Sequence, residues 1–401
     1  MNFFQKIKKI CTTSIALILS IIPNKTSGMT MIGNKKNGTK YSISESNKKD
    51  YINDFNFKIL NFMSINRNFM ISPYSLKMAL MLLANGATGD TRNEILKAFK
   101  IEDLETANDE VKKFLEKLGS QSQINMANSV FLNTSYDNTA EFKENYVNNI
   151  RKKFNADLIK VDNGTAVNRI NNWVSSKTHD KIKNIINTND FLACLVNAIY
   201  FKDDWKYEFK KDNTIKHDFT NKDGKIVQTD FMCQENSFNY YEDSNLKFLE
   251  MEYKNSGLSM CIILPKPEKE LNQDNINLAF EHKRKHKVKV KLPKFKQETE
   301  INNLKEYLNS IGITKAFSSS AELQDMIKSS EKPYIDDIIQ KTFIEINEKG
   351  TEAAAATAMK IRTTSFKLPT PPYEFTADSP FTYFIKNNND EILFMGTQAF
   401  F

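Results

Sequence analysis

The sequence predicts a single α+β domain built around large sheets. Three observations carry this. Apolar residues at helical spacing follow residue 50. Short apolar or alternating runs dominate beyond Lys225. No linker rich in Pro, Gly or Ser divides residues 50 to 401, and no internal repeat occurs. At 401 residues and 40% hydrophobic composition, the chain can bury a substantial core.

Taken in order, residues 1–28 read as a secretory signal. Lys6, Lys8 and Lys9 precede the apolar run Ile15 to Ile22, and the small residues Thr26 and Gly28 flank a cleavage point. An uncleaved anchor is the alternative, but the run is short for a bilayer. Residues 29–48 are rich in Asn, Lys, Ser and Gly and read as a flexible lead-in to one domain over 49–401. A helical pattern begins near Tyr51 with Ile52, Phe55, Ile59, Leu60 and Met63. Ser72 before Pro73 is an N-cap with proline in the first turn. Leu76, Ala79, Leu80 and Leu83 continue that helix, Gly86 and Gly89 end it, and Thr91 is expected to cap the next.

"INMANSVFL" and "FLACLVNAIYF" are apolar enough for buried strands. "FKENYVNNIRKKF" and "VNRINNWVSSK" lie between them and read as helices. Beyond Lys225 the expected strands are "KIVQTDFM", "KFLEMEY", "LSMCIILP", "KVKVKLPKF", "QKTFIEIN", "FTYFIKN" and "EILFMGTQ". One helix, "INNLKEYLNSIGI", interrupts them.

Composition narrows the function. The formal charge is +7, and four lysines among the first 28 residues account for four of it. The remainder is weakly basic and does not indicate a nucleic-acid binder. No later stretch is long and apolar enough to cross a membrane. Cys11 would leave with the signal, and Cys194, Cys233 and Cys261 remain. Three scattered thiols form neither a disulfide framework nor a metal site, so they are expected to be buried and apolar. There is no GxGxxG, Walker or HExxH motif, and the four histidines sit in no recognisable catalytic setting. No enzyme activity, cofactor or metal is expected. Asn37, Asn133 and Asn163 head N-x-[ST] sequons.

"EKGTEAAAATAMKIRTTSFKLPTPPYEF", Glu348 to Phe375, stands apart. Ala353 to Ala356 favour helix, yet Gly350 and the prolines Pro369, Pro371 and Pro372 mark a long exposed loop. Placed on a strand, one face takes Thr351, Ala353, Ala355, Thr357, Met359, Ile361 and Thr363. The other takes Glu352, Ala354, Ala356, Ala358, Lys360 and Arg362, so every charge shares one face. Such sorting suits a strand that slides between two others, where a buried unpaired charge would be costly.

Here the sequence resembles the serpin family. "NFMISPYSLKMALMLLANGATGDT", "RINNWVSSKTHDKI", "LVNAIYFKDDWKYEF", "VKLPKF" with "LKEYLNSIGITKAF", "EKGTEAAAATA" and "FTADSPFTYFIKNNNDEILFMGT" look like serpin motifs in serpin order. They span about residue 50 to the C-terminus. The resemblance implies a metastable fold of three sheets and eight or nine helices with a reactive-centre loop, here 348–374. It also implies suicide inhibition of a serine protease: an acyl-enzyme forms, and the cut loop inserts into the central sheet. Glu348, Gly350, Thr351 and Glu352 would form the hinge, with Gly350 giving the freedom to fold inward. Ala353, Ala354, Ala355, Ala356 and Thr357 would enter first. Ser72, Ser75 and Asn197 would sit where the sheet opens, and Trp205 at its top. The family usually has a histidine ten residues before the hinge glycine, where this chain has Gln340. Glutamine still donates and accepts, but does not titrate.

Counting Glu348 as the seventeenth residue before the cut gives Thr364-Ser365 as the scissile bond, suited to an elastase-like protease. Arg362-Thr363 is the rival and suits a trypsin-like pocket. The expected partner is such a protease in a covalent complex with a monomeric inhibitor. A non-inhibitory carrier, chaperone or scaffold is the alternative, but no proline or charge interrupts Ala353 to Thr357. A second candidate site is the basic tract with Lys283, Arg284, Lys285, Lys287, Lys289 and Lys291, either for a glycosaminoglycan or other polyanion or as a solvated strand edge. On a strand, Lys287, Lys289 and Lys291 share one face and Val288, Val290 and Leu292 the other.

Overall fold

Apolar side chains at positions 55, 59, 60 and 63 give the first helix, α1 (Asp54–Met63), one buried stripe. The computed structural model describes residues 49–63, 66–119, 124–330, 332–351 and 371–401. A short strand, β1 (Phe69–Ile71), leads to α2 (Pro73–Gly86), whose N-cap Ser72 accepts from Ser75 N at 3.1 Å. Nearly every α2 residue is buried, as expected of a helix enclosed on all sides. The next helix, α3 (Gly89–Ala98), does not start at Thr91. It starts two residues earlier, and buried Thr91 instead exchanges hydrogen bonds with Glu322.

The chain continues through α4 (Leu104–Gly119), β2 (Ile124–Asn133), β3 (Glu141–Phe142), α5 (Glu144–Phe154), β4 (Asp157–Val161) and α6 (Ala166–Lys177). Then come β5 (Ala193–Phe201), β6 (Asp203–Asp204), β7 (Ile215–Thr220), β8 (Ile226–Glu242), β9 (Leu246–Glu252) and β10 (Ser259–Pro265). A capping box on Asn272 opens α7 (Gln273–His282). The remainder is β11 (Arg284–Pro293), β12 (Phe295–Ile301), α8 (Leu304–Ser310), β13 (Ile327–Lys328), β14 (Asp337–Ile346), β15 (Gly350–Thr351), β16 (Tyr373–Thr376), β17 (Phe381–Lys386) and β18 (Ile392–Gln398).

Among the described residues, eight α-helices surround three sheets. The nine-stranded sheet runs β1-β18-β17-β10-β9-β8-β11-β16, with β7 also on β8. The seven-stranded sheet runs β4-β2-β5-β14-β15-β6, with β12 also on β14. The third is β13 with β3. The run "KVKVKLPKF" is two strands, not one. Pro293 ends β11, Lys294 N donates to Asp230 O, and β12 starts in the other large sheet.

The centre of the seven-stranded sheet is a parallel seam. β5 and β14 pair directly from Cys194↔Asp337 to Tyr200↔Phe343, over seven positions. α2 packs beneath this seam, and α6 with the segment after it covers the other face. Of the three thiols, Cys194 and Cys261 are buried, whereas Cys233 is only partly so. Asn133 is fully buried and donates to Asn163 Oδ1 and Asn189 O, so its sequon is inaccessible in the folded chain. Among the described residues, no helix is long and apolar enough to cross a membrane.

Candidate functional site

Strand β14 alternates faces, and Gln340 points from it toward α2. In register with Asn197 on β5, its Nε2 donates to Asn197 Oδ1 at 2.7 Å, directly across the seam. The same nitrogen donates to Ser72 O at 3.1 Å, while Gln340 Oε1 accepts from Ser72 N at 2.7 Å. Ser72 Oγ donates to Leu393 O at 2.6 Å. Asn197 Nδ2 donates to Ser75 Oγ and, at 2.6 Å, to Asn128 Oδ1 on β2. Ser72, Ser75, Asn197 and Gln340 are fully buried, and each has partners. A buried polar network satisfied in this way is stable; half satisfied, it would be costly. No member of the network titrates.

The residues expected to form the hinge lie at the C-terminal end of the seam. Asn347 N donates to Gly350 O at 3.0 Å and closes a tight turn after β14. Thr351 then enters between two strands, antiparallel to both: Ile346↔Thr351 on β14 and Asp203↔Thr351 on β6. Its side chain is fully buried and shares a 2.8 Å hydrogen bond with the Tyr253 hydroxyl. Burial pushes the Tyr253 phenol up, so it stays protonated.

Gly350 is required here for space rather than for conformational freedom. A Cβ on it would stand 2.1 Å from Asp203 O and 2.6 Å from Asp204 Cα. Trp205 brackets the turn. Its backbone N donates to Lys349 O at 2.6 Å, its indole N–H donates to Asn347 O at 3.0 Å, and its ring stacks on Tyr253 with centroids 4.6 Å apart.

Glu348 is buried and accepts from Thr214 Oγ1 at 2.9 Å and Lys294 Nζ at 3.1 Å. Burial pushes its carboxyl up. Hydrogen bonds from the backbone, Lys294 and Thr214, with the Lys294 charge, outweigh that and hold it below the usual glutamate range.

The sequence-derived residues therefore fall in two places: Ser72, Ser75, Asn197 and Gln340 in one network, Trp205 with Glu348, Gly350 and Thr351 at the hinge. Glu352, Ala353, Ala354, Ala355, Ala356 and Thr357, and the candidate bonds at Arg362, Thr363, Thr364 and Ser365, lie outside the described residues. Sequence reasoning missed Asn128, Tyr253, Thr214 and Lys294. Each is one polar residue within an otherwise ordinary strand or loop, with no local signal.

The basic tract forms β11, and its alternation holds: Val288, Val290 and Leu292 are buried. β16 pairs along its outer side over Val288–Lys291, so that stretch is not a sheet edge, while Arg284–Lys287 has no strand on that side among the described residues. Lys283 is not available as a surface cation. It is largely buried and sits 2.9 Å from the buried Glu250 carboxylate. Lys287 pairs with Glu235 at 2.5 Å, and Lys289 lies in register between Glu235 and Glu374. Arg284 donates to Glu281 O and Lys283 O. Lys285 and Lys291 complete the tract within a charge-mixed face.

Among the described residues, three sheets, eight helices and a short strand, β15, wedged at the head of a central parallel seam define a class in which the connection leaving β14 turns straight back toward the sheet. The family follows from comparison. A model described as serpin, serine protease inhibitor, matches residues 50–399, and the chain belongs to that family. It is 34% identical over 370 residues to the leukocyte elastase inhibitor of Xenopus tropicalis, covering 85% of this chain and 95% of that one. The thermophilic serpin Tengpin, solved in its native state, aligns with a TM-score of 0.78 at 28% identity, over 92% of this chain and 96% of that one. Native protease nexin-1, solved with heparin, aligns at 0.73 and 28%, over 86% and 96%.

Proposed function

We propose that this chain is a secreted inhibitor of serine proteases that is cleaved in its 348–374 loop and traps the protease by inserting that loop into the β5/β14 seam. The observation that carries the reading is Thr351, already paired to β14 and β6 at the head of the seam. Continuing that register one residue at a time would set Ala353 opposite Ile344 and Phe201, and Ala355 opposite Thr342 and Ile199. Thr357 would fall opposite Gln340 and Asn197. Small side chains can thread this path. The Thr357 hydroxyl would arrive where the Gln340–Asn197 hydrogen bond must part.

In the reaction the protease serine attacks the carbonyl at the cut, an ester to that residue forms, and the C-terminal segment leaves with a new amino terminus. Insertion then adds a row of main-chain hydrogen bonds and holds the ester before water cleaves it. Thr364-Ser365 is the proposed bond, consistent with the elastase inhibitor named among the relatives; Arg362-Thr363 is the rival. The apolar run after Lys6, Lys8 and Lys9 supports secretion.

The test is incubation with an elastase-type and a trypsin-type serine protease, followed by denaturing gels and sequencing of the released peptide. A covalent complex is expected, with the peptide starting at Ser365. A start at Thr363 would move the bond. Clean cleavage without a complex, across proteases, would transfer the chain to the carrier reading. For the basic tract, the interleaved acids favour a solvated face despite the heparin on protease nexin-1. Elution from a sulfated polysaccharide column below physiological salt is expected.

A further inference from the structure

Beside the seam lies a cleft for which the inhibitory reading has no use. On one side, β2 pairs with β5 over Ile124 to Leu132. On the other, β4 pairs only with Ser129 to Asn133. Among the described residues, no strand covers the outer edge of Ile124 to Asn128. In an antiparallel ladder alternate residues turn N–H and C=O away from the partner. This edge, about 17 Å long at the usual strand rise, therefore offers main-chain donors and acceptors to the cleft.

The cleft has a volume of about 540 Å³ and lies between β2, α4, the end of α5 and α6. That is within the usual range for a ligand site. Lys112, Lys152, Lys153 and Lys177 line it against two carboxylates, Glu116 and Asp157. Asp157 is already engaged, accepting from the Trp173 indole at 2.7 Å and lying 3.0 Å from Lys177 Nζ. Lys153 likewise pairs with Glu105, and Lys112 lies 3.8 Å from Glu116, so the lining is mixed in charge with lysines in excess, beside an aromatic panel. Exposed strand edges are ordinarily covered or blunted, and a recessed one edged with charge selects what can pair with it.

We propose that Ile124–Asn128 binds an extended acidic peptide segment of a partner protein as an added strand. The guest main chain completes the ladder and its carboxylates meet Lys152, and share Lys153 and Lys177 with Glu105 and Asp157. A polyanion without amides would meet the lysines but leave the edge unpaired. Asn128, at the end of the open stretch, is the residue that accepts from Asn197, so the guest would lie close to the seam network.

Fluorescence anisotropy of a labelled peptide alternating Asp and Val, added to the intact protein, tests this. Saturable binding is expected. N-methylating alternate peptide amides in one phase should weaken it at least tenfold, while the other phase is tolerated. Lys152→Glu with Lys177→Glu should weaken it tenfold, and the exposed Lys152→Ala alone, which leaves folding intact, severalfold. Binding indifferent to both N-methyl phases would overturn strand addition. Equal binding of a Lys-Val peptide, no binding at millimolar peptide, or binding of a sulfated oligosaccharide but not the peptide would overturn the proposal.

Discussion

In the nine-stranded sheet the buried polar tie is ionic: Glu250 on β9 lies 2.7 Å from Lys386 on β17 and 2.9 Å from Lys283, and Lys386 lies 3.0 Å from Asp390. In the seven-stranded sheet the tie across the seam is neutral, an amide–amide hydrogen bond between Gln340 and Asn197 backed by serine hydroxyls. The difference bears on which sheet can part. Separating a buried ion pair leaves an uncompensated charge and costs about 3–5 kcal/mol. A neutral hydrogen bond contributes about 1 kcal/mol net and can be remade with an incoming hydroxyl. The ionic sheet is also antiparallel almost throughout, while the neutral tie crosses a parallel pair, the slightly weaker ladder.

The largest way to break this comparison is Lys386→Met. It leaves Glu250 and Asp390 short of a partner in a buried setting and should cost about 3 kcal/mol or more in urea unfolding. It should leave the fraction of protease trapped unchanged. Next is Gly350→Val. The added carbons collide with the Asp203 main chain, which should cost about 1–3 kcal/mol and sharply lower covalent complex yield on gels. Gln340→Leu strips Ser72 N and Asn197 Oδ1 of partners where both are buried. About 1–3 kcal/mol of native stability should go, read as a lower denaturation midpoint, with trapping retained.

The smallest effect is electrostatic. The folded-state pKa of Glu348 is depressed, so its ionised form stabilises the fold above the unfolded value of about 4.5. That contribution is lost as pH falls through the folded value. Lys294 is partly exposed and screened, so Glu348→Gln should flatten this acid limb of a pH–stability curve by less than about 1 kcal/mol. The neutral seam network should show no such limb.

Much of this was legible in the sequence because strong local signals coincide with the architecture. Ser72-Pro73 caps α2, and the fully apolar "ACLVNAIYF" is a strand buried on both faces. Gln340 and Asn197 were placed by resemblance, and the structure adds that they touch. What was not legible depends on pairing between distant segments. Thr91 looks like a cap, yet its partner is Glu322, far along the chain. Pro293 splits a uniform lysine–valine run between two sheets. Gly350 reads as a hinge, but its need for a bare Cα comes from the Asp203 carbonyl. Lys283 belongs by sequence to a basic tract and by position to the buried ion cluster.

The most direct test locks the seam. Val196 and Ile339 oppose each other across it, at the spacing of neighbouring strands, which a disulfide can bridge. Val196→Cys with Ile339→Cys is made in a Cys194→Ala background, so that no third thiol shares that strand. Oxidised, it should be cleaved by the target protease without forming a covalent complex, and dithiothreitol should restore trapping. If the oxidised protein traps protease as fully as the reduced one, the loop does not enter between β5 and β14, and the account fails.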